Sequence, residues 1–386
     1  MDAFDLPIDS LRDVIAGLIA DEHSFRSSRL TKEKSLVGVD GQRGRHDEAL
    51  VMSNELRKAC ADRVANFFGI PVAILPTKGD LLVTEWAQAV QTAVRQSLTY
   101  LTFVAAARGE DRISASHAAA DVFAESAAVS GLMYGRKRLL SFVSPHGYLS
   151  FVLTIIAPML QGVTRLDARQ MIPESLVETL EFGDLVVATP SLWRYLIDEG
   201  AAAPENVMAL YFGEAMNPEL AQMMRTRGFN AQREIYGATE TGLIGWRDTQ
   251  HEPFRLFDSL KRDEEFFQRT LASGETVNIE PPDTIEWDGP RTFQVGSRRD
   301  GAVQIGAVNV FPERISAVIE SHDDVESCTV EIGRHSGGFD RLIARIVLKD
   351  PSSLGENEAR SIERVCREKL MPHERPRIYR FEQSSK

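Results

Sequence analysis

The sequence predicts an α/β protein: a layered N-terminal domain with largely parallel sheets, then a small α+β domain. From residue 138 onward, apolar runs such as DLVVATP and NVMALYFGEA alternate with amphipathic stretches such as SLWRYLIDEGA. This alternation is typical of parallel sheets with crossover helices. After residue 301 the predicted order becomes strand pair, helix, two strands, helix and strand. We therefore expect domains at residues 1–296 and 297–386, joined at the charged, glycine-flanked segment GSRRDG.

The first third of the chain is predicted to be mainly helical. Apolar residues recur at helical spacing in LRDVIAGLIADEH and in two later segments, whereas residues 31–50 are polar and rich in Gly and Arg. Such periodicity indicates amphipathic helices. The expected elements are a helix within residues 1–30, a loop at 31–50, helices at 52–68 and 82–98, a strand in SLTYLTFVAAARGEDR that runs into a glycine-containing turn, and a helix at 116–134.

Charge and cysteine content narrow the class of protein. The net charge is −12, so the surface repels phosphate backbones and nucleic acid is not an expected partner. Cys60, Cys328 and Cys366 are far apart and join no Cys/His cluster, which argues against disulfides and zinc and fits a cytoplasmic protein. The N-terminal segment lacks signal-peptide features, and prolines interrupt the apolar stretch 139–160, so we expect buried core and no membrane span.

Two glycine-containing loops are predicted at one edge of the N-terminal sheet. FGEA follows the strand NVMALYF, and YGATETG ends the strand that begins at REI. Ligands of α/β folds bind at the carboxyl ends of parallel strands. Glycine also lets the backbone approach a ligand closely. The sequence therefore predicts a ligand between these loops.

Three longer segments carry a family pattern. They are PHGYLSFVLTIIAPMLQGV, YFGEAMNPELAQMMRTRGFNAQREIYGATETG and SRRDGAVQIGAVNVFPERISAVIESHDDV. In the same order they resemble the histidine-bearing helix, the GE…YGxTE block, and the hinge and lid of the adenylate-forming superfamily of acyl- and aryl-CoA synthetases, adenylation domains and luciferases. The resemblance covers roughly residues 101–381. The short N-terminal region is similar to a compact branch related to aryl-acid ligases of pigment and phenazine pathways.

The resemblance implies a reaction in two steps. The carboxylate of a small acyl or aryl acid attacks the α-phosphate of ATP, with Mg²⁺ present, and an acyl-adenylate and pyrophosphate form. The thiol of CoA or of an acyl carrier protein then takes the acyl group. Catalysis of this kind depends on positioning two anions and neutralising charge on the transferring phosphoryl group. ATP or AMP, Mg²⁺ and CoA are thus the implied ligands.

The resemblance assigns a nucleotide site to the YGATE segment. Tyr236 would stack on adenine, and Gly237 and Ala238 belong to the same cofactor-binding set. Thr239 would bond the α-phosphate, and Glu240 would hold Mg²⁺, for which a hard oxygen ligand is suitable. The alternative is an ordinary strand-to-loop turn with a capping threonine and a surface glutamate.

Further candidate residues come from the same resemblance. The FGEA loop would lie against adenine through Gly213, Glu214 and Ala215, and the alternative is a plain turn. His146 would line the acyl pocket as a catalytic residue, and the alternative is a structural or surface histidine. Glu275 would replace the ribose-binding aspartate. Arg298 would contact ribose or phosphate, and Asp300 would be the hinge pivot. The alternative for Arg298 and Asp300 is a charged interdomain linker. Trp193 and Phe212 are candidates for the acid pocket or core aromatics.

Besides Glu275, two features depart from the family pattern. The expected phosphate loop reads VAAARGEDR at residues 104–112, without hydroxyls and with Gly109 as its glycine, so it is poorly suited to cradle β- and γ-phosphates. Arg112 stands where a lysine charge is expected and Arg108 adds a cation, while Glu110 and Asp111 add negative charge. The closing residues FEQSSK offer no match to the lid lysine, since Lys386 lacks the preceding glycine.

These departures leave three hypotheses. The first is an active ligase that makes an acyl- or aryl-adenylate and passes the acyl group to CoA or a carrier protein in a biosynthetic pathway. The second is a catalytically degenerate protein that binds an acid, AMP or acyl-adenylate as an accessory or regulatory subunit. The third is a different chemistry in the same pocket, because a fold does not fix a function. The first two hypotheses differ in whether adenylation proceeds at a useful rate. Loss of one positioned charge, such as that of the lid lysine, typically lowers the rate of adenylation by ~10²–10³.

Overall fold

The computed structural model describes residues 5–27, 52–77, 82–108, 111–264, 266–299, 301–305, 308–334, 340–350, 356–371 and 374–382. The loop predicted at 31–50 lies outside these residues. The chain divides into two compact units. Unit 1 comprises residues 1–105, 112–281 and 285–295, and unit 2 comprises residues 106–111, 282–284 and 296–386.

The described part of unit 1 contains the first nine α-helices and most of the strands. The helices are α1 (Ile8–Ser27), α2 (Asn54–Phe68), α3 (Val83–Gln96), α4 (Ala119–Ser130), α5 (Tyr148–Phe151), α6 (Ala157–Gln161), α7 (Pro173–Thr179), α8 (Pro190–Asp198) and α9 (Pro218–Thr226). A π-helical segment, Val152–Ile156, joins α5 to α6. The strands up to the end of the large sheet are β1 (Tyr100–Arg108), β2 (Asp111–Ala118), β3 (Arg138–Ser141), β4 (Thr164–Asp167), β5 (Leu185–Val187), β6 (Met208–Phe212), β7 (Ala231–Ala238), β8 (Gly242–Arg247), β9 (Phe254–Leu256), β10 (Leu260–Asp263), β11 (Phe266–Thr270), β12 (Thr276–Ile279), β13 (Asp283–Trp287) and β14 (Thr292–Arg298).

A nine-stranded sheet forms the centre of the fold, in the order β13-β14-β9-β8-β7-β6-β5-β3-β4. The neighbouring pairs from β4 to β7 are parallel. Strands β8, β9 and β14 continue the sheet in antiparallel pairings. The α/β fold class is therefore confirmed, with a sheet that is parallel in one half and antiparallel in the other.

Both faces of the parallel half are covered by helices. Alternate residues of one strand enter different cores: Leu185 and Val187 of β5 join one cluster, and Val186 joins the other. The first cluster receives apolar residues from α1 to α6, and the second receives them from α7, α8 and α9. Burial on both faces explains why these strands read as short, continuous apolar runs.

The predicted helices of the N-terminal region are confirmed by α1, α2 and α3. Helix α2 shows why the sequence starts and stops a helix there: Ser53 accepts a hydrogen bond from the amide of Leu56 at 3.2 Å, and Gly69 ends the helix with φ +62°. A serine N-cap and a left-handed glycine satisfy the end groups that a helix leaves unpaired. The apolar faces of these helices join the first core cluster.

The prediction of a helix from residue 116 was wrong at its start. Residues Asp111–Ala118 form β2, and α4 begins only at Ala119. Strand β2 pairs with β1 in a two-stranded sheet, and the hydroxyls of Thr102 and Ser116 lie 2.8 Å apart across it. Pairing with the preceding strand therefore overrides the helix propensity of the alanines in SASHAAA.

Unit 2 is a small α+β arrangement, as the strand and helix order predicts. Its described elements beyond β14 are β15 (Val303–Ile305), β16 (Val308–Val310), α10 (Pro312–Glu320), β17 (Val325–Arg334), β18 (Asp340–Leu348), α11 (Glu356–Lys369) and β19 (Ile378–Glu382). Strands β17, β18 and β19 form one sheet, on which α10 and α11 bury Ile315, Ile319 and Ile362. Among the described helices of the chain, none is long and apolar enough to cross a membrane.

Candidate functional site

The loops after β6 and β7 lie side by side at the carboxyl edge of the sheet. The two strands are parallel, and Phe212, the last residue of β6, is in register with Ile235. Gly213 therefore follows beside Tyr236, so FGEA and YGATETG start from adjacent strand ends. The predicted neighbourhood of the two loops is confirmed, at the edge where α/β proteins bind ligands.

The FGEA loop is anchored on both sides. Gly213 has φ +87°, a backbone conformation that favours glycine. The hydroxyl of Ser191, at the start of α8, donates a 2.5 Å hydrogen bond to Glu214. The next residue but one, Met216, contributes its backbone to a hydrogen bond with the buried Glu234 of β7. The Glu214 carboxylate is thus used to tie the β6 loop to α8.

The YGATETG segment forms a tight hairpin between β7 and β8. The amide of Ala238 donates to the hydroxyl of Thr241 at 3.1 Å, and the amide of Thr241 donates back to the Ala238 carbonyl at 3.2 Å. A Cβ on Gly237 would lie 2.4 Å from the Gly242 carbonyl oxygen, so glycine is required there. The turn leaves Thr239 half-buried and Glu240 exposed at the tip.

A buried ion pair lies directly beneath this hairpin. Arg269 of β11 contacts Glu125 of α4, and both side chains are almost fully buried. The same guanidinium donates to the carbonyl of Thr241 at 2.8 Å and to that of Leu243. Glu125 in turn accepts the amide of Leu243 at 2.7 Å. Gly242 has room for no side chain, because a Cβ would lie 2.5 Å from Arg269 and 2.6 Å from Glu125.

A third side chain holds the tip of the hairpin. Nε2 of His117, near the end of β2, donates to the carbonyl of Thr239 at 2.6 Å, which leaves Nδ1 unprotonated in the neutral ring. Burial lowers the pKa of His117, so the ring is neutral at pH 7. Its ring also packs on Tyr148, with centroids 4.5 Å apart. Burial raises the pKa of Tyr148 and of its neighbour Glu125.

The aromatic candidates differ in their surroundings. The ring of Tyr236 is half-buried and packs against Phe254 and Phe293, with centroids 5.5 and 5.8 Å away. Trp193 is fully buried in the second core cluster and packs edge-on against Phe229. Trp193 is therefore a core aromatic, whereas Tyr236 is half-buried near the carboxyl end of β7.

His146 lies at the carboxyl end of β3, against α1. Its Nδ1 is hydrogen-bonded to the Ser144 hydroxyl at 2.7 Å, and its Nε2 is 4.0 Å from Asp21. A Cβ on Gly17 of α1 would lie 2.9 Å from His146 Nδ1, so the helix packs closely over this ring. Burial lowers the pKa of His146 to about 4, and the nearby guanidinium of Arg63 acts in the same direction.

The depressed pKa of His146 makes stability depend on pH. Between about pH 6.5 and pH 4 the unfolded chain binds a proton at this position that the folded chain does not. We expect the free energy of unfolding to fall as the pH falls through this window. His146→Gln should flatten that slope in urea titrations at several pH values, while His117 still titrates. An equal slope in both proteins would contradict the assignment.

Arg112, at the predicted position of the phosphate-binding cation, is engaged by α1. Its guanidinium lies 3.1 Å from the carboxylate of Asp21 and 2.5 Å from that of Glu22, over the ring of Phe25. Asp21 also faces the buried Arg63 at 3.6 Å. The phosphate-loop segment itself belongs to the β1–β2 pair, and its Gly109 and Glu110 lie outside the described residues.

The remaining candidates are dispersed. Glu275 is exposed in the turn between β11 and β12, where the amide of Ala272 donates at 2.7 Å to Asp121 in the first turn of α4. Arg298 is half-buried at the end of β14, in unit 2. Asp300 and Lys386 lie outside the described residues. The structure therefore brings together the FGEA and YGATE residues, with His146 at the end of another parallel strand.

Sequence reasoning missed His117, Glu125 and Arg269. One local signal was available: Glu125 is an acidic residue inside an apolar helix, and buried charges are usually paired. Its partner is 144 positions away, so the pairing itself was not readable. In the described part of the chain no group of three or more His, Cys, Asp and Glu side chains forms a metal site. Glu240 at the exposed tip fits the single carboxylate with which Mg²⁺ is often held together with phosphate oxygens.

Comparison with known proteins gives related ligases. A 4-coumarate–CoA ligase of Halorhodospira halophila is 29% identical over 261 residues, which are 67% of this chain and 66% of that protein. A 4-coumarate–CoA ligase of Rhodobacter capsulatus is 31% identical over 243 residues, 63% of this chain and 60% of the relative. The chain is therefore similar to ligases of the adenylate-forming superfamily. The matches span 66% and 60% of the length of these two relatives, and no protein-family model matches the chain.

Solved structures of the superfamily share the fold. The amide bond synthetase McbA of Marinactinospora thermotolerans superposes with a TM-score of 0.57 at 14% identity, covering 73% of this chain and 65% of that one. A malonyl-CoA ligase in a product complex with methylmalonyl-CoA and AMP gives a TM-score of 0.56 at 15% identity, covering 73% and 70%. At these identities the likeness concerns the fold.

Proposed function

We propose that this protein binds the AMP portion of a nucleotide and a small carboxylic acid, and joins them as an adenylate for transfer to CoA. The observation that carries this proposal is the placement of FGEA and YGATE on adjacent parallel strand ends. Glycine at positions 213 and 237 keeps both loops slim, and the exposed Glu240 carries the only side-chain charge of the YGATE turn. The curated relatives are named as ligases that couple an acid to CoA.

The roles of the residues follow from this placement. Tyr236 would stack on adenine, next to the backbone of Gly213. Thr239 would direct its hydroxyl to the α-phosphate. Mg²⁺, held through Glu240, would supply charge neutralisation at the phosphate oxygens. Arg298 and Glu275 would contact the ribose or phosphate, and His146 would lie toward the acid; these roles come from the superfamily pattern.

A second candidate function is favoured by the contacts of Arg112. Its guanidinium is paired with two carboxylates of α1, so it does not offer an unpaired charge to a triphosphate. The neighbouring segment Ala105–Ala107 has no hydroxyl groups. Under this alternative the protein retains the AMP side of the site and binds an acid, AMP or acyl-adenylate without forming an acyl-adenylate from ATP.

The first proposal also includes three finer points: an aryl acid as the substrate, a carrier protein as a further acceptor, and a role in a biosynthetic pathway.

Two measurements separate the candidates. An active ligase releases pyrophosphate from ATP with some member of a panel of aryl and fatty acids, and Glu240→Gln should lower that rate by ~10²-fold or more. Calorimetry with AMP and with ATP–Mg²⁺ tests the alternative, which predicts binding of AMP but not of ATP. The folded protein binding neither nucleotide and releasing no pyrophosphate would refute both. Asp184→Asn, at the opposite edge of the sheet from these loops, is a suitable control variant.

A further inference from the structure

We propose that His117, Glu125 and Arg269 form a brace that positions Thr239 and Glu240 for the nucleotide. The inference rests on the proposed function, because it assigns the brace to the nucleotide loop of that site. The three side chains come from β2, α4 and β11, and each contacts the backbone of the β7–β8 hairpin. The superfamily resemblance assigns a role to none of them.

The brace contacts the hairpin at three backbone carbonyls. The carbonyls of Thr239, Thr241 and Leu243 are every second acceptor along the turn, and each receives a side-chain donor. Thr239 and Thr241 belong to the turn, and Leu243 is near the start of β8. The brace therefore supplies side-chain hydrogen-bond donors to three backbone carbonyls of the hairpin.

Burial makes the brace directional and rigid. The Arg269 and Glu125 side chains are 6% and 7% exposed, so their hydrogen bonds form away from competing water. A guanidinium fork fixes two acceptors at set angles, which an ammonium group cannot do. Gly242, which has φ +70°, lets the backbone lie directly on the ion pair. The turn cannot shift without breaking at least one buried hydrogen bond.

The brace fixes the position of Thr239 and Glu240 at the tip of the hairpin. With the carbonyl of Thr239 held from below by His117, its side chain and that of Glu240 are presented from a fixed turn. Binding sites gain when their groups are held in place before the ligand arrives, because less order has to be imposed on binding. The ion pair is thus assigned a positioning role and does not itself touch the nucleotide.

A double variant separates positioning from plain stability. Glu125→Leu and Arg269→Met each leave one buried charge unpaired and should lower the melting temperature. Combined, they replace the pair by apolar side chains of similar shape, which restores much of the stability in other buried pairs. We expect the double variant to recover most of the melting temperature, to exchange the amides of residues 239–243 faster, and to bind AMP about ten-fold more weakly through the loss of hydrogen bonds to the turn.

Two further variants act as controls. Arg269→Lys keeps the charge without the fork and should not restore AMP affinity. Asp184→Asn disturbs the buried pair with Arg138, which lies at 2.6 Å near the amino ends of β3 and β5. It should lower stability while leaving exchange at 239–243 and AMP affinity as they are in the parent protein.

The outcomes are distinguishable. A double variant that is stable, exchanges like the parent and binds AMP like the parent would overturn the brace. Faster exchange with parental AMP affinity would show a structural pair without a positioning role, which also overturns the proposal. If the parent protein binds neither AMP nor ATP and releases no pyrophosphate, the proposed function fails together with the positioning role, and the exchange rates alone decide whether the three side chains hold the hairpin.

Discussion

Gly237→Ala is expected to destabilise the protein by about 3 kcal/mol or more and to abolish nucleotide binding, because overpacking here cannot be relieved by a side-chain rotation. The new Cβ would lie 2.4 Å from the carbonyl oxygen of Gly242 and 3.1 Å from the Cα of Leu243. Both are backbone atoms of the opposite strand, at the point where the β7–β8 register shifts. The hairpin must open, and it carries Thr239 and Glu240 with it.

Urea denaturation and AMP calorimetry on the same preparation would measure both effects. Gly131→Ala is the matched control, because no heavy atom of the described structure lies within 4 Å of the added Cβ and the backbone there is helical. Its unfolding free energy should change by less than about 1 kcal/mol. A Gly237→Ala protein with parental stability would show that the two strands are not in this close contact.

The placement of the two ligand loops could be predicted because it depends on local pattern. Apolar runs of strand length, separated by helix-length segments, fix a parallel sheet, and the carboxyl ends of parallel neighbours must meet at one edge. The loops after Phe212 and Ala238 therefore had to converge, whatever the remaining contacts were. Glycines 213 and 237 are the positions where the sequence predicts that the backbone itself would contact a ligand.

The brace could not be predicted in the same way, because its contacts join distant parts of the chain. His117 and Thr239 are 122 positions apart, and Glu125 and Arg269 are 144 apart. The last three residues of β2, which include His117, were assigned to a helix, since ISASHAAA has no clear period of its own. Its strand conformation depends on pairing with β1.

His146 illustrates a role that spacing alone leaves open. The sequence places it after a strand end, and the structure confirms the position, but the orientation of the ring depends on α1. Ser144 and Asp21 both face its nitrogens, and Gly17 packs over it. Ser144 is a sequence neighbour, but Asp21 and Gly17 belong to α1, more than a hundred residues earlier in the chain.

Replacing Asp21 and Glu22 together, with Asn and Gln, is the second change with a large expected effect. Arg63 and Arg112 are buried against these carboxylates, and removing one partner of a buried ion pair typically costs ~3–5 kcal/mol. We expect a clear loss of stability in urea. We also expect the affinity for ATP to rise relative to that for AMP by roughly ten-fold, the value of one charge-assisted hydrogen bond.

Asp13→Asn is the control for this prediction. Asp13 lies on the same helix and pairs with Arg165 of β4, outside the cluster around Arg112. It should destabilise the protein without changing the ratio of ATP to AMP affinity. If the double variant loses stability and its ratio also stays constant, Arg112 does not meet the phosphates and the phosphate side of the site must be sought elsewhere.

The ratio matters because it distinguishes the two proposed functions at a single side chain. Arg112 is already paired with two carboxylates of α1 in the folded protein, so it can bind a triphosphate only after those contacts break. The free energy of the broken contacts lowers the affinity for ATP. AMP, which has no β- and γ-phosphates, is not subject to this cost. Suppose that the parent protein binds AMP in preference to ATP and that the double variant loses this preference. The selectivity would then come from the pairing of Arg112 rather than from the YGATE hairpin.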